Sequence, residues 1–460
     1  MIRNVSHHPL AMRLALSLQH LLAVFAGTVF VPIVLGLSIP LALLFSGVST
    51  LMFHYFTSGK IPFYYGSSFT ILAGMTFIHH QAVSRGMTDV LADCYVCLGS
   101  LFIGVIYLLV GQLLRMVPRE KVIRLFPSTL AAPLIMVIGI DMLFSSTYSI
   151  RTDWLTGIVT IVAVALAQLF FKGRVRLFSI FIGMAAGLVL SLVRGTFSLD
   201  ALRGAHWLAS PFDSDCLAFR VLEHWDVDMV GIVFVTVLPL AVIALSEHVA
   251  DMIIISCTAK KNYLRIIGLP RSISASGLAT LLAAVFGASQ PTAYTQTTGL
   301  IRLNRICDPS LLRMVAVMMI VLSCCPKLTA LISSIPEAVI GGITFIMYIM
   351  VIWVGWCTAS LHEKKNRNAR SLVIIFSTLA AYAITALFLD GGLQVGSTKL
   401  TSITVAFITG LVLHLAIPNR AALTPQEEHA SDEDVSSPTD LADHHDEPQK
   451  RKHEIENQDV

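Results

Sequence analysis

Twelve apolar segments recur along this chain, and each is long enough to cross a lipid bilayer as a helix. They lie at about residues 14–36, 41–57, 90–114, 125–145, 154–171, 177–193, 228–256, 272–288, 309–325, 335–357, 371–390 and 400–417. Hydrophobic residues make up 55% of the sequence and charged residues 13%, whereas soluble domains carry about 25% charged residues. The pattern therefore predicts an all-α polytopic membrane protein.

Two shorter apolar pieces, at about 67–80 and 291–303, are interrupted by Gly, Pro, Ser and Thr. Counting them gives fourteen crossings, and these two become the third and the tenth. Because they are seven crossings apart, the spacing predicts a 7+7 repeat whose halves are inverted relative to each other. Broken backbone at membrane depth is tolerated where it lines a cavity or is buried in protein. Paired breaks of this kind indicate a transporter whose binding site lies near the midplane.

Basic residues are distributed unequally between the connecting segments. With the N-terminus inside, 22 of the 32 Lys and Arg residues fall in cytoplasmic segments and 7 in outer ones, and the other three lie in the C-terminal tail. The positive-inside rule therefore predicts that both termini are cytoplasmic. The first 13 residues lack the apolar core of a cleavable signal, so we expect a cytoplasmic N-terminus (1–13) and a transporter domain (14–417) in the plasma or inner membrane.

The C-terminal segment 418–460 differs in composition from the rest of the chain. Residues 421–460 contain twelve acidic and three basic residues, a composition that buries too little apolar surface to fold. We expect a disordered, acidic cytoplasmic tail. Four histidines leave a tail metal site as an alternative, although a solvated tail is the simpler interpretation: His429, His444, His445 and His453.

The apolar run 237–255 carries three ionisable residues, Glu247, His248 and Asp251. A charged side chain at the bilayer centre costs about 2.5–3.5 kcal/mol on insertion scales. Glu247 and Asp251 are four residues apart and therefore lie on one helical face. That face is expected to line a protein or water-filled cavity.

These residues suit a small planar solute that carries both N–H and C=O groups. The Glu247 carboxylate can accept from ring N–H groups, and the Gln296 amide can pair with a ring amide edge. The main chain around Phe69 and Thr295 can add hydrogen bonds, and the ring of Phe69 or Tyr294 can stack on the solute.

Energy coupling follows from the same residues. A carboxyl group in a desolvated site can take up a proton outside and release it inside, so Glu247, Asp251 and His248 are the candidates for proton coupling. Sodium coupling would need converging oxygen ligands, for which Asp251, Ser68 and Thr295 are available, and proton coupling is favoured over it.

Three further polar residues occur in apolar segments. Gln19 and His20 on the first helix either support the site or hydrogen-bond between helices. Asp141 lies near the outer end of its helix, where it is expected to reach the interface.

Five segments resemble the nucleobase–ascorbate transporter family, also called nucleobase:cation symporter-2, and in particular its uracil-permease branch. The resemblance covers about residues 13–417. It rests on SLQHLLAVFAGTVFVPIVLG (17–36), GKIPFYYGSSF (59–69), LSEHVAD (245–251), YTQTTG (294–299) and IPEAVIGG (335–342).

The resemblance implies a core domain of crossings 1–4 and 8–11 (about 14–115 and 228–330) and a gate domain of crossings 5–7 and 12–14 (about 120–200 and 335–417). It also implies short strands in segments 3 and 10, with the substrate between them and the eighth helix. Glu247 then resembles the carboxylate that binds the base, Phe69 and Thr295 its main-chain contacts, and Gln296 its second side-chain contact. A homodimer through the gate domain is a further implication.

Four positions depart from the uracil-permease pattern. Gln296 stands where those permeases usually have Glu, Thr297-Thr298-Gly299 replaces Asn-Ile-Gly, and Asp251 replaces a histidine. Gln296 and Asp251 look more like the purine and xanthine members. The sequence therefore predicts a proton-coupled nucleobase importer and leaves uracil and xanthine, or another purine base, as alternatives.

Other functional classes fit less well. An anion exchanger or channel on the same fold is the alternative, but the paired carboxylates argue against it. No H-E-x-x-H or G-x-S-x-G motif occurs, so we expect neither an enzyme nor a cofactor or metal site in the membrane part. The expected partners are the nucleobase, the proton and the lipid bilayer, and no nucleic acid.

Overall fold

The structure, a computed structural model, describes residues 9–116, 128–171, 179–197, 203–212, 218–304, 306–363, 369–389, 392–395 and 398–417. The described residues are mostly helical. Met1–His414 form one compact unit, and Leu415–Val460 form a second, of which residues 415–417 are described. The predicted acidic tail lies outside the described residues.

The described residues of the first half of the chain form seven helices, one short strand and a 3-10 helix. The elements are α1 (Leu10–Leu35), α2 (Ile39–Phe56), β1 (Tyr65–Ser67), α3 (Leu72–Ser84), α4 (Asp89–Leu113), α5 (Ser128–Thr152), α6 (Trp154–Phe170), α7 (Ser179–Val193) and the 3-10 helix Ala218–His224.

The second half begins with the longest helix of the described residues. Its elements are α8 (Val227–Ala259), α9 (Tyr263–Ile266), α10 (Leu269–Val285), β2 (Pro291–Ala293), α11 (Thr295–Asn304), α12 (Pro309–Ser323), α13 (Pro326–Ser333), α14 (Glu337–Glu363), α15 (Ala369–Phe388), β3 (Gly392–Val395), β4 (Thr398–Thr401) and α16 (Ser402–Ala416).

Five helices of the described residues are long and apolar enough to cross a membrane, or six if the bent pair α12 and α13 counts as one. They are Leu10–Leu35, Ile39–Phe56, Asp89–Leu113, Ala132–Thr152 and Val227–Ser256. Six further apolar helices have between 10 and 17 residues. The axes of α12 and α13 differ by 82°. The sequence predicted the span 309–325 but not this bend after it. A multi-pass helical membrane protein is thus confirmed.

Local sequence signals explain where several helices begin and end. Gly36 ends α1 with φ of 73°, and its N–H and that of Leu37 bond back to the last turn. The Ser38 hydroxyl then caps α2 by accepting from the Leu41 N–H. In the same way Thr88 caps α4 by accepting from Leu91 N–H. Because these caps satisfy backbone groups at the helix ends, successive helices can be joined by short turns.

The helices pack in two groups. The first contains α1–α4, α8 and α10–α12, and the second contains α5–α7, α14 and α15. In the first group α4 and α10 lie so close that a Cβ on Gly277 would be 3.0 Å from the Gly104 carbonyl oxygen. Such close packing of small residues is a common way for membrane helices to associate. The two groups meet where α5 touches α3 and α8.

The interrupted segments contain the short strands expected from the resemblance. β1 and β2 pair antiparallel, with Tyr65 opposite Ala293 and Ser67 opposite Pro291. A second antiparallel pair, β3 with β4, precedes α16. This second pair was not predicted, so the all-α description is incomplete there.

Candidate functional site

The two interrupted segments meet through β1 and β2 next to α8, and this meeting point is called the crossing from here on. Besides the paired strands, the Tyr294 N–H donates to the Tyr64 carbonyl (2.9 Å) and the Ser68 N–H donates to the Gln290 carbonyl (2.9 Å). α3 and α11 begin shortly after their strands, so the N-terminal ends of two half-helices lie at the crossing. These ends carry positive partial charge and unpaired N–H groups. In the part of the chain that the structure describes, the Phe69 N–H has no hydrogen-bond acceptor.

Glu247 is half-buried on α8, and its carboxylate points toward the first interrupted segment. The Thr70 hydroxyl donates to Glu247 Oε2 at 2.5 Å. Thr70 lies between β1 and α3, so this bond ties α8 to the crossing. Thr70 was not among the predicted site residues. The feature that could have indicated it is a hydroxyl side chain in the interrupted stretch, one residue after Phe69.

Asp251 lies one turn after Glu247 and is only 4% exposed. Its Oδ2 is buried and has no hydrogen-bond partner among the described residues. Glu247 and Tyr107 are close enough to interact electrostatically with it. A buried carboxyl oxygen without a partner is costly, so this oxygen is suited to bind a proton or another cation.

His248 faces a different set of neighbours, between α8 and α10. Its Nε2 is 2.8 Å from the Ser272 hydroxyl and its Nδ1 is 3.5 Å from the Ser276 hydroxyl. The Ser276 hydroxyl is also 2.6 Å from the Tyr65 hydroxyl. A chain of polar groups therefore connects His248 with strand β1. A role for His248 in proton coupling stays a prediction.

The two aromatic candidates differ in what their rings contact. Phe69 is half-buried and packs against an apolar cluster that contains Phe30 of α1 and Val339 and Ile343 of α14. Tyr294 is 4% exposed, and its hydroxyl donates to the Ser67 carbonyl at 2.8 Å. Tyr294 therefore supports the strands, and Phe69 is better placed to contact a ligand.

Gly66 makes room for the Tyr294 ring. A Cβ at Gly66 would lie 2.5 Å from Tyr294 Cζ and 2.7 Å from Thr28 Oγ1. Neither distance is possible without movement of the strands or the ring. The glycine in the stretch FYYGSSF is thus needed for the packing beneath the crossing.

Five other candidates are placed less completely. Ser68 is buried, and its hydroxyl has no partner among the described residues. Thr295 and Gln296 open α11, but their side chains lie outside the described part of the chain. Gln19 and His20 lie on α1. His20 is buried, and no described residue hydrogen-bonds its Nδ1.

The comparison with protein families decides the class of the chain. The model of the Permease family, labelled Xan_ur_permease, matches residues 12–389. The chain belongs to this family. The permease is 29% identical over 410 residues to a probable uracil permease of Haemophilus influenzae, covering 87% of this chain and 93% of that protein. It is 27% identical over 431 residues to the uracil permease of Escherichia coli strain K12, covering 91% and 94% respectively.

Solved structures show the same fold at low sequence identity. The transmembrane domain of the cyanobacterium bicarbonate transporter BicA aligns with a TM-score of 0.59 and 13% identity, covering 89% of this chain and all of that domain. Murine Solute Carrier 26 family member A9, an anion transporter in the inward-facing state, aligns with a TM-score of 0.60 and 10% identity, covering 89% and 68%. The family match and the relatives named as permeases show that the chain is a transporter and not an enzyme. The solved structures show that it shares their membrane fold.

Proposed function

We propose that this permease imports a nucleobase, uracil or a purine base such as xanthine, by symport with protons. The observation that carries the proposal is the carboxylate of Glu247, held by Thr70 where two crossed strands end. The relatives named as uracil permeases support the nucleobase class.

The base would bind between α8 and the crossing. Glu247 would accept hydrogen bonds from ring N–H groups, and the Phe69 N–H would donate to a ring carbonyl. The Phe69 ring would contact the face of the base, with Gln296 and the main chain of Thr295 on the opposite side. A site of this kind rejects solutes that leave its polar groups unpaired.

Proton coupling is supported by the buried carboxyl group of Asp251. Its Oδ2 lacks a partner among the described residues, and it lies one turn from Glu247. A proton bound there would remove one of the two negative charges of the pair while Glu247 holds the base. Sodium remains the less favoured ion, with Asp251, Ser68 and Thr295 as the ligands it would need.

The proposed mechanism is alternating access between the two helix groups. We assign α1–α4, α8 and α10–α12 to a core domain, and α5–α7 and α14–α16 to a gate domain. We also propose fourteen membrane crossings in two inverted repeats. Both termini would lie in the cytoplasm, and the permease would lie in the plasma or inner membrane. A homodimer through the gate domain is part of the same proposal.

Anion exchange on the same fold is the alternative, since BicA and Solute Carrier 26 family member A9 are named as bicarbonate and anion transporters. The site gives it little support. Helix α8 carries Glu247 and Asp251 at the crossing and has no Lys or Arg over its length. Two carboxylates would repel an anion unless both were neutralised.

The test is uptake by the purified, full-length permease in lipid vesicles. Labelled uracil and labelled xanthine are offered separately, and unlabelled thymine, urate, hypoxanthine and ascorbate serve as competitors. We expect uptake of at least one base, loss of its accumulation with a protonophore, and no dependence on sodium. Uptake of bicarbonate or chloride without any base would overturn the proposal. Uptake that requires sodium would overturn proton symport alone.

A further inference from the structure

A cavity lies between the two helix groups, on helices that also carry the candidate site. Its volume is about 310 Å³, and its lining comes from α3, α5, α8, α15 and α16. Pockets that bind small molecules typically have volumes of about 300–1,000 Å³, so this one is large enough for a single small heterocycle. Glu247, Asp251 and Phe69 do not belong to its lining.

The position of the cavity relative to Glu247 follows from the helices that line it. Leu240 of the lining precedes Glu247 by seven residues on α8, roughly 10 Å along the axis. Gly74 of the lining follows Thr70 by one turn on α3. In the proposed topology both directions lead outward. The cavity would then lie on the path between the outer solution and Glu247.

The polar groups of the cavity include the carboxylate of Asp141, which caps no helix and forms no ion pair among the described residues. Asp141 on α5 accepts a hydrogen bond from the Tyr382 hydroxyl at Oδ1 (2.9 Å). Among the described residues no donor reaches Asp141 Oδ2. From the sequence, the Asp141 side chain was expected at the membrane interface, whereas the structure places it in the cavity, beside Tyr382 of α15.

Ser402 provides an independent observation. It is 4% exposed, it lines the same cavity, and its hydroxyl has no partner among the described residues. A buried hydroxyl without a partner costs free energy unless a ligand satisfies it.

Two phenylalanines complete the lining from different helix groups. Phe77 comes from α3 and Phe144 from α5. Aromatic rings beside a carboxylate and a hydroxyl are the groups that a flat heterocycle with N–H donors requires.

We propose that this cavity is a second nucleobase site, an outer subsite in which Asp141 and Ser402 hydrogen-bond the base and Phe77 and Phe144 contact its ring. The inference rests on the proposed function, because it assumes that the permease carries nucleobases. The base binds here before it reaches Glu247. Because the lining belongs to both helix groups, their relative movement would remake this subsite in each cycle.

The test combines transport with binding. Asp141→Asn should raise the KM for the transported base roughly tenfold, the loss of one hydrogen bond to a charged group, and should change the maximal rate less than twofold. Ser402→Ala and Tyr382→Phe should raise the KM by smaller factors and retain the rate. Asp228→Asn is the matched control, since it removes an exposed carboxylate from the first turn of α8, outside the cavity.

Binding is measured on the purified full-length protein with labelled uracil and labelled xanthine. In a Glu247→Gln background, weak binding should remain, and adding Asp141→Asn should abolish it while adding Asp228→Asn should not. The subsite requires both results. A wild-type KM in Asp141→Asn and in Ser402→Ala, or no residual binding in Glu247→Gln, overturns it. Failure of the proposed function is distinguishable, because the wild-type permease would then neither bind nor take up any base.

Discussion

Replacing Thr70 by valine tests whether the Thr70 hydroxyl orients the carboxylate of Glu247. The Thr70 hydroxyl donates to Glu247 Oε2 at 2.5 Å, between residues separated by 177 positions in the sequence. Valine keeps the branched shape of the side chain and removes the donor. The carboxylate would then lose the contact that orients it toward the crossed strands.

The expected size of the effect follows from the burial of Glu247. A hydrogen bond to a charged group contributes about 1.5–3 kcal/mol when one partner is lost. Glu247 is half-buried, so water can replace part of the contact and the lower end applies. About 1.4 kcal/mol corresponds to a tenfold weaker affinity. We therefore expect Thr70→Val to raise the Kd for the base about tenfold.

The assay is equilibrium binding of the labelled base to purified protein, with uptake into vesicles measured in parallel. Thr70→Ser keeps the hydroxyl and should bind within threefold of the wild type. Thr76→Val in α3, six positions after Thr70, is the matched control, because the Thr76 hydroxyl has no partner among the described residues. If Thr70→Val binds as tightly as Thr76→Val, the hydroxyl does not orient Glu247 and the reasoning is refuted.

Three other perturbations have expected outcomes. Gly66→Ala should lower the Tm and abolish uptake, since overpacking costs about 1–3 kcal/mol. Gly231→Ala is its control and should do neither, because a Cβ at Gly231 meets nothing within 4 Å. Equal Tm values for the two variants would contradict the packing argument. Asp153→Ala should lower the stability by about 1 kcal/mol through loss of the α6 cap. In the wild type the pKa of the Asp153 carboxyl group is lowered, chiefly by the hydrogen bond from the Thr156 side chain. The stability that Asp153 adds over alanine should therefore be complete above about pH 4 and should vanish as the pH falls through the lowered pKa. A stability difference that persists in acid would refute this. Asp251→Asn should still bind the base but lose proton-driven accumulation, and accumulation at the wild-type level would exclude Asp251 from coupling.

Much of the architecture could be predicted from the sequence because membranes restrict the choices. Apolar runs of spanning length predicted helices, and their positions agree closely with elements such as α6 and α8. The interrupted segments at 67–80 and 291–303 predicted breaks, and at each of them a short strand, β1 or β2, is followed by a helix. The resemblance to the family anticipated these strands, and membership of the family is confirmed.

The partners of individual side chains could not be predicted. Helical periodicity showed that Glu247 and Asp251 share a face, but not that Thr70 would reach one of them. Asp141 was expected at the interface because it lies near the outer end of its helix, yet its partner, Tyr382, is 241 positions away. Such contacts depend on how helices pack, which a local pattern does not contain.

Tyr294 illustrates the same limit within a motif. The stretch YTQTTG offered an aromatic ring beside polar groups, which is the composition expected of a binding site. In the structure the ring is buried against Gly27 and Gly66, and its hydroxyl holds the strand at Ser67. Composition alone does not distinguish a side chain that contacts a ligand from one that supports the residues around it.

The most direct measurement is equilibrium binding of labelled uracil and labelled xanthine to the purified permease and to its Glu247→Gln variant. A neutral amide keeps the size of the side chain but removes the charge that accepts ring N–H groups. The account predicts that the variant folds with a Tm close to that of the wild type and binds the preferred base at least tenfold more weakly. Unchanged affinity in a folded Glu247→Gln variant would contradict it.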